Sequence, residues 1–322
     1  MVKRRVKERR RMKQKIARSL LVCAFGLLLN CAYFMFVEGT YEDNYHITYP
    51  ERIDGRREKR DLSTSEKGGH VDDATYRLTA FDKDWTLDVK RNKELISPSF
   101  AMRTFANDGS EVIQEDVADH CHYQGAIRGL KDSSVVLNTC SGLRGILDDG
   151  KDTFYITPDT GKELDGAHRV FQAKEDDFKH VVDKCGNKET HQADSHPAKE
   201  NSGTFSRIKR SISNIDEFYK PYLTTGETRY NELLLVVDFR MYKKYNNDTN
   251  VIRDRVITLV NAVDAIYQRI NIRIVMKALE IWTNGDPYER ASTGGTDLGR
   301  FNTYRKDHLL EKLPHDNAQL LR

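Results

Sequence analysis

Glu232-Leu233-Leu234-Leu235-Val236-Val237-Asp238 sets five consecutive apolar side chains between two carboxylates. A run this short and this continuously apolar suits a strand covered on both faces, as in a parallel sheet packed with helices. After a polar connection, Lys243 to Asn250, apolar residues recur at Val251, Ile252, Val256, Leu259, Val260, Val263, Ile266, Tyr267 and Ile270. That spacing predicts a helix of about five turns. Ile272, Ile274, Met276 and Ala278 to Trp282 predict the next strand, ended by Asn284-Gly285-Asp286-Pro287. A second helix is expected from about Asp297 to Leu313, and a third strand at Asn317-Ala318-Gln319-Leu320-Leu321. The order β-α-β-α-β predicts a mainly parallel sheet. Because Arg322 follows the last apolar run with no turn or polar tail, we expect a fragment of a larger α/β domain.

Upstream of this stretch the chain changes character at Arg207-Ile208-Lys209-Arg210, followed by Ser211, in a loop of small and polar residues. An exposed, extended segment with Arg at its first and fourth positions and Lys between offers cations to the acidic cleft of a processing protease. A solvated surface loop is the plain alternative for so basic a chain, with 52 Lys and Arg. The difference between the two sides of the stretch favours cleavage after Arg210.

The other side is β-rich. Tyr76, Leu78 and Ala80 alternate on one face, a polar turn follows at Asp82-Lys83-Asp84, and Trp85, Leu87 and Val89 alternate again, which predicts a hairpin. Further short strands are expected at 123–127, 134–138, 144–147 and 153–157, the unit ending near Val170-Phe171, so 73–171 reads as a sandwich or barrel. Residues 38–72 are polar and lack apolar periodicity, and read as a flexible lead-in. Residues 172–210 read as a linker; its His residues lack the tight spacing of a metal site.

The first 18 residues hold ten Lys or Arg against Glu8, so the formal charge of +3 conceals a net negative remainder. The basic excess is a tail property and gives no argument for nucleic-acid binding. The tail runs into an apolar stretch from Leu20 to Val37, so 1–37 reads as a signal peptide or a signal anchor. Export places the protein in the secretory pathway, extracellular or at the cell membrane, where disulfides form. Of five cysteines, Cys23 and Cys31 belong to the signal. Cys121 and Cys140 frame a β-like run that a disulfide would close, and Cys185 is left over. Asn247-Asp248-Thr249 is an N-glycosylation sequon.

Three stretches resemble the ADAM proteins and their snake-venom relatives, the reprolysins. His120-Cys121-His122-Tyr123-Gln124-Gly125, Ser133-Ser134-Val135 and Thr139 to Gly145 look like the reprolysin propeptide. Arg229 to Asp238, with Asn271-Ile272-Arg273-Ile274 and Glu280-Ile281-Trp282, looks like the opening strands of the catalytic domain, and His315 to Leu321 like a third. The resemblance implies a multi-domain chain: a β-rich propeptide over 73–171, a linker with a cysteine switch and a basic cleavage site over 172–210, and the first part of an α/β metzincin-like catalytic domain over 211–322.

It also implies roles. Cys185 would be the switch, a soft thiolate ligand to zinc in the latent zymogen, although Asp183-Lys184-Cys185-Gly186-Asn187 shares little beyond Cys-Gly with the usual surroundings. Arg207, Lys209, Arg210 and Ser211 would form the site of a furin-like convertase. Glu232 and Asp316 match two carboxylates of a structural calcium site. The family is a zinc endopeptidase acting on extracellular or cell-surface proteins, its metal held by His-Glu-x-x-His-x-x-Gly-x-x-His. No His-Glu-x-x-His occurs in these 322 residues, so the chain as written is expected to be inactive. The rival reading is a non-catalytic short form, or a decayed member acting by inhibition, binding or adhesion.

Overall fold

The computed structural model describes residues 45–53, 62–115, 119–159, 166–173 and 227–322. They form two main sheets. The first is antiparallel and nine-stranded, in the order β1-β13-β12-β11-β10-β9-β6-β5-β2, from β1 (Tyr45–Thr48), β2 (Glu51–Arg52), β5 (Asp73–Ala80), β6 (Lys83–Arg91), β9 (His122–Ile127), β10 (Ser134–Asn138), β11 (Arg144–Asp148), β12 (Thr153–Pro158) and β13 (His168–Gln172). A separate small hairpin joins β3 (Ser65–Glu66) to β4 (Gly69–His70). The alternation read from the sequence holds: Tyr76, Leu78, Trp85, Leu87 and Val89 are all buried in one cluster with Tyr123, Leu137 and Phe154.

That sheet is one curled layer. β1 comes round to the β5–β6 turn, where Phe81 N donates to His46 Nδ1 at 3.3 Å and the two rings lie 4.0 Å apart. The turn itself sits one residue earlier than expected: Phe81 and Asp82 both have positive φ (52° and 56°), the two-residue geometry that matches strand twist. Residues 38–72, expected as a flexible lead-in, supply β1 to β4 and the buried Leu62 and Thr64. Polarity hid them because they pair at edges and are mostly exposed or half-buried.

The second sheet has five strands, in the order β16 (Asn317–Leu321), β14 (Arg229–Val237), β15 (Ile272–Ile281), β7 (Ile96–Phe105) and β8 (Glu111–Gln114). β14 (Arg229–Val237) pairs in parallel with β15 (Ile272–Ile281) and with β16 (Asn317–Leu321), as the β-α-β-α-β reading requires. Leu233 to Val237 have no exposure, so the strand is buried on both faces. A short helix absent from the sequence reading, α1 (Phe239–Lys244), follows, with Asp238 as N-cap accepting from Met241 N at 2.8 Å. The long helix α2 (Thr249–Tyr267) starts on the Asp248 cap and passes through a 3₁₀ turn, Gln268–Ile270, to Asn271 in the left-handed region. α3 (Gly294–Tyr304) runs into a π-helical turn, Arg305–Leu309.

The remaining two strands are the main surprise. β7 (Ile96–Phe105) and β8 (Glu111–Gln114) lie within the stretch expected to form one β unit over 73–171, yet they extend the second sheet. β7 pairs in parallel with β15, with a bulge between Met276 and Ala278. Pro98, which has no N–H to donate, lies in the part of β7 opposite this bulge. No helix among the described residues is long and apolar enough to cross a membrane.

Candidate functional site at the junction of the two sheets

Helix α2 touches both sheets, and its sequence divides accordingly. Ile252, Val256, Leu259, Val260, Val263 and Tyr267 join the core over β14 and β15. Thr258, Asn261 and Asp264 follow each other at three-residue spacing on another face, directed at β9 and β10 of the nine-stranded sheet. All three are essentially without exposure. Buried polar groups of this kind must be paired, and they are paired across the junction.

Asp264 is the hub. Its Oδ1 accepts from Arg273 Nε at 3.0 Å and from Ile274 N at 2.8 Å. Its Oδ2 accepts from Asn92 Nδ2 (2.9 Å), Gln124 Nε2 (3.2 Å), Gln268 Nε2 (2.7 Å) and Arg273 Nη2 (3.0 Å). Asn261 Nδ2 donates to Tyr123 O at 3.0 Å, and its Oδ1 accepts from Asn92 and Gln124. Thr258 Oγ1 donates to Asp254 O (2.7 Å), accepts from Asn138 Nδ2 (2.9 Å) and lies 3.2 Å from His122 Nε2. The propeptide-like motif from His120 to Gly125 is therefore the face that meets α2.

The motif is held in shape by two local devices. Cys121 and Cys140 are joined in a disulfide between the start of β9 and the end of β10. Gly125 lets β6 come close, because a Cβ there would lie 1.9 Å from Asp88 O. Burial drives His122 down to about 3, with the neighbouring His120 adding to the effect, and drives His120 down to about 4, with Arg91 adding. Both imidazoles are neutral at pH 7.

A second buried cluster sits where β7 meets β15. Arg103 and Glu280, 1% and 0% exposed, form an ion pair in which Arg103 Nε donates to Glu280 Oε2 at 2.5 Å. Glu280 Oε1 accepts from Trp282 Nε1 and from Tyr304 OH, each at 2.7 Å. Burial and the Glu280 charge push the Tyr304 hydroxyl far above its usual range. Sequence reading used Glu280 only as a strand marker and passed over Arg103, Asn92, Asn261 and Asp264. The available signal was three polar residues at regular spacing inside the otherwise apolar second half of the helix, Val256 to Tyr267.

The residues singled out from the sequence fall in three groups. Cys185, Arg207, Lys209, Arg210 and Ser211, like the 1–37 segment, lie outside the described residues. Glu232 and Asp316 are brought together at the start of β14: Glu232 N donates to Asp316 Oδ2 and Asp316 N to Glu232 O, each at 2.9 Å. The Glu232 carboxylate itself faces Lys277 Nζ at 3.1 Å. Asn247 is exposed, in the left-handed region (φ 63°), between α1 and α2.

Among the described residues no three His, Cys, Asp or Glu side chains gather as a metal site. His315 also has both ring nitrogens engaged, Nδ1 with Leu313 O at 2.6 Å and Nε2 with Arg305 Nε at 2.7 Å. The residues described here therefore do not fit a zinc ion.

Residues 229–322 match the family described as Reprolysin (M12B) family zinc metalloprotease, and residues 46–128 match the Reprolysin family propeptide. The chain is similar to the snake venom metalloproteinase-disintegrin-like mocarhagin of Naja mossambica, 29% identical over 289 residues, covering 89% of this chain and 46% of that protein. It is similar to the zinc metalloproteinase-disintegrin-like atrase-B of Naja atra, 29% over 292 residues, covering 89% and 47%. To disintegrin and metalloproteinase domain-containing protein 9 of Homo sapiens it is 28% identical over 309 residues, covering 94% and 35%. The chain spans less than half the length of these relatives.

Proposed function

We propose that this chain, which belongs to the reprolysin family of zinc metalloproteases and carries its propeptide and the start of its catalytic domain, is the front part of a latent secretory-pathway endopeptidase precursor. The supporting observation is the junction itself. The propeptide sheet and the protease segment share a buried polar network around Asp264 and a common sheet through β7, so the propeptide is packed as part of the protease fold. The basic stretch at 207–210 falls between the two matched regions.

In this reading a furin-like convertase cuts after Arg210, leaving Ser211 at the new N-terminus, and Cys185 holds the zinc of the complete enzyme in its latent form. Substrates are extracellular or cell-surface proteins. Residues 1–37 direct export, Asn247 carries a glycan, and Glu232 with Asp316 contributes oxygen ligands to calcium. Residues 1–322 alone have no peptidase activity, since they lack His-Glu-x-x-His.

The test is to express the chain in secretory cells and sequence the N-termini of its products. A fragment beginning at Ser211, absent from Arg210→Ala, is expected; the same products from both would refute the cleavage reading. Casein or peptide hydrolysis by the purified chain would refute its inactivity.

A further inference from the structure

We propose that the edge of β15, with the Glu280 carboxylate buried behind it, is a docking site for the propeptide hairpin 96–114. Through this site the two halves stay together as a non-covalent complex after the chain between them is cut. The occupant is this chain's own hairpin. Only the premise of a cut between the halves is taken from the precursor reading.

The first strand of the hairpin, β7, is held along its edge and on both faces, while β8 forms the exposed outer edge. Its backbone continues the sheet, with Ala101, Met102 and Arg103 opposite Ala278, Leu279 and Glu280, and Met276 N donating to Leu95 O at 2.8 Å. Leu95, Ile96, Phe100 and Met102 enter the core under α2, while Ala101 joins Trp282, Phe301 and Tyr304 on the opposite face. The end of β7 is closed by Thr283, whose Oγ1 donates to Phe105 O (2.5 Å) and accepts from Phe105 N (2.8 Å). Lys277 Nζ donates to Ser99 Oγ at 2.8 Å, and Lys312 pairs with Glu111.

The charge pair makes departure costly. Trp282 and Tyr304, the other partners of Glu280, are neutral donors from the protease side, so truncating Arg103 in the docked hairpin leaves a buried carboxylate without its cation, and departure of the whole hairpin breaks the pair. Departure of the hairpin also leaves β15 as an open strand edge with apolar residues on both faces. Strand addition supplies affinity through the backbone, and the arginine at one fixed register supplies specificity. Truncating one member of a buried, hydrogen-bonded charge pair acts mainly on dissociation. Cutting the linker is therefore not sufficient for release.

The experiment uses the full chain with 207–210 replaced by the recognition sequence of a site-specific viral protease. The nick then does not depend on whether that stretch is the natural cleavage site. After cutting, the wild-type halves should co-elute in gel filtration, and amides of residues 276–280 should stay protected from exchange. Arg103→Met should dissociate on dilution at least about 30-fold faster. Arg103→Met/Glu280→Gln, which removes the orphaned charge but keeps an acceptor for Trp282 and Tyr304, should recover to within a few-fold of wild type. Wild-type halves that separate on cutting would overturn the proposal. So would an Arg103→Met complex as durable as wild type, or a double variant that dissociates as fast as the single one.

Discussion

Arg273 at the start of β15 and Asp264 on α2 face each other through two bonds of 3.0 Å, Nε to Oδ1 and Nη2 to Oδ2, on a carboxylate with no exposure. The fork geometry locks the end of the helix against the strand that follows it. Four further donors converge on the same carboxylate, two of them, Asn92 and Gln124, from the propeptide side. Asp264→Ala leaves several buried amide donors without their shared acceptor, while the half-buried Arg273 keeps Glu94 and Asn92, so a loss of about 2–3 kcal/mol is expected. Asp264→Asn should cost less while still weakening the junction. Urea unfolding of the full chain measures both, and an Asp264→Ala loss below about 1 kcal/mol would contradict the hub role.

Acid should loosen the junction through two buried imidazoles. His120 and His122 have folded pKa values lowered to about 4 and about 3 from the ordinary 6.5. Between 6.5 and those values the unfolded chain binds more protons than the folded one, so stability falls as pH drops and is level above about 7. Each unit of difference is worth about 1.4 kcal/mol. Unfolding midpoints should decline from pH 7.5 to 5, and His120→Asn with His122→Asn should flatten that slope. An unchanged slope would mean that other groups carry it.

Gly125 is expected to tolerate no side chain. Alanine there would place a carbon 1.9 Å from the backbone oxygen of Asp88, which can yield only by shifting β6. A loss of about 3 kcal/mol or more is expected, of the size that overpacking and backbone displacement produce. A Gly125→Ala chain with wild-type melting behaviour would show that β6 is freer than its register with β9 implies.

Removing the Cys121–Cys140 disulfide opens a loop with a sequence separation of 19. The chain-entropy account gives about 3 kcal/mol for a loop of this size. Cys121→Ser/Cys140→Ser should show that loss in thermal unfolding, and should also weaken the His122 and Asn138 contacts to Thr258. Equal stability with and without reductant would contradict it.

The sequence spoke clearly wherever burial imposes a period. Leu233 to Val237 read as a doubly covered strand because five successive positions are apolar, and Tyr76 to Val89 read as a hairpin because one face is wet. It was silent on β7. Ser97-Pro98-Ser99 looks like a loop, and its partner strand lies far along the chain, a pairing that no local pattern encodes. The junction was half legible: His120 to Gly125 stood out as a motif, but its meaning depended on Asn261 and Asp264, polar residues that look like interruptions of a helix until the opposing sheet is present.

The Arg103–Glu280 contact spans 177 positions. Pairings of such range are slow to find, because the intervening chain must be ordered before the contact repays its closure entropy. During synthesis, however, residues 96–114 leave the ribosome long before β15 does, so the strand with the most distant partner is also made first among the five strands of its sheet. β15 can then form against a surface already in place. The late half of the chain inherits its sheet edge from the early half, and the order of translation becomes part of how this fold is reached.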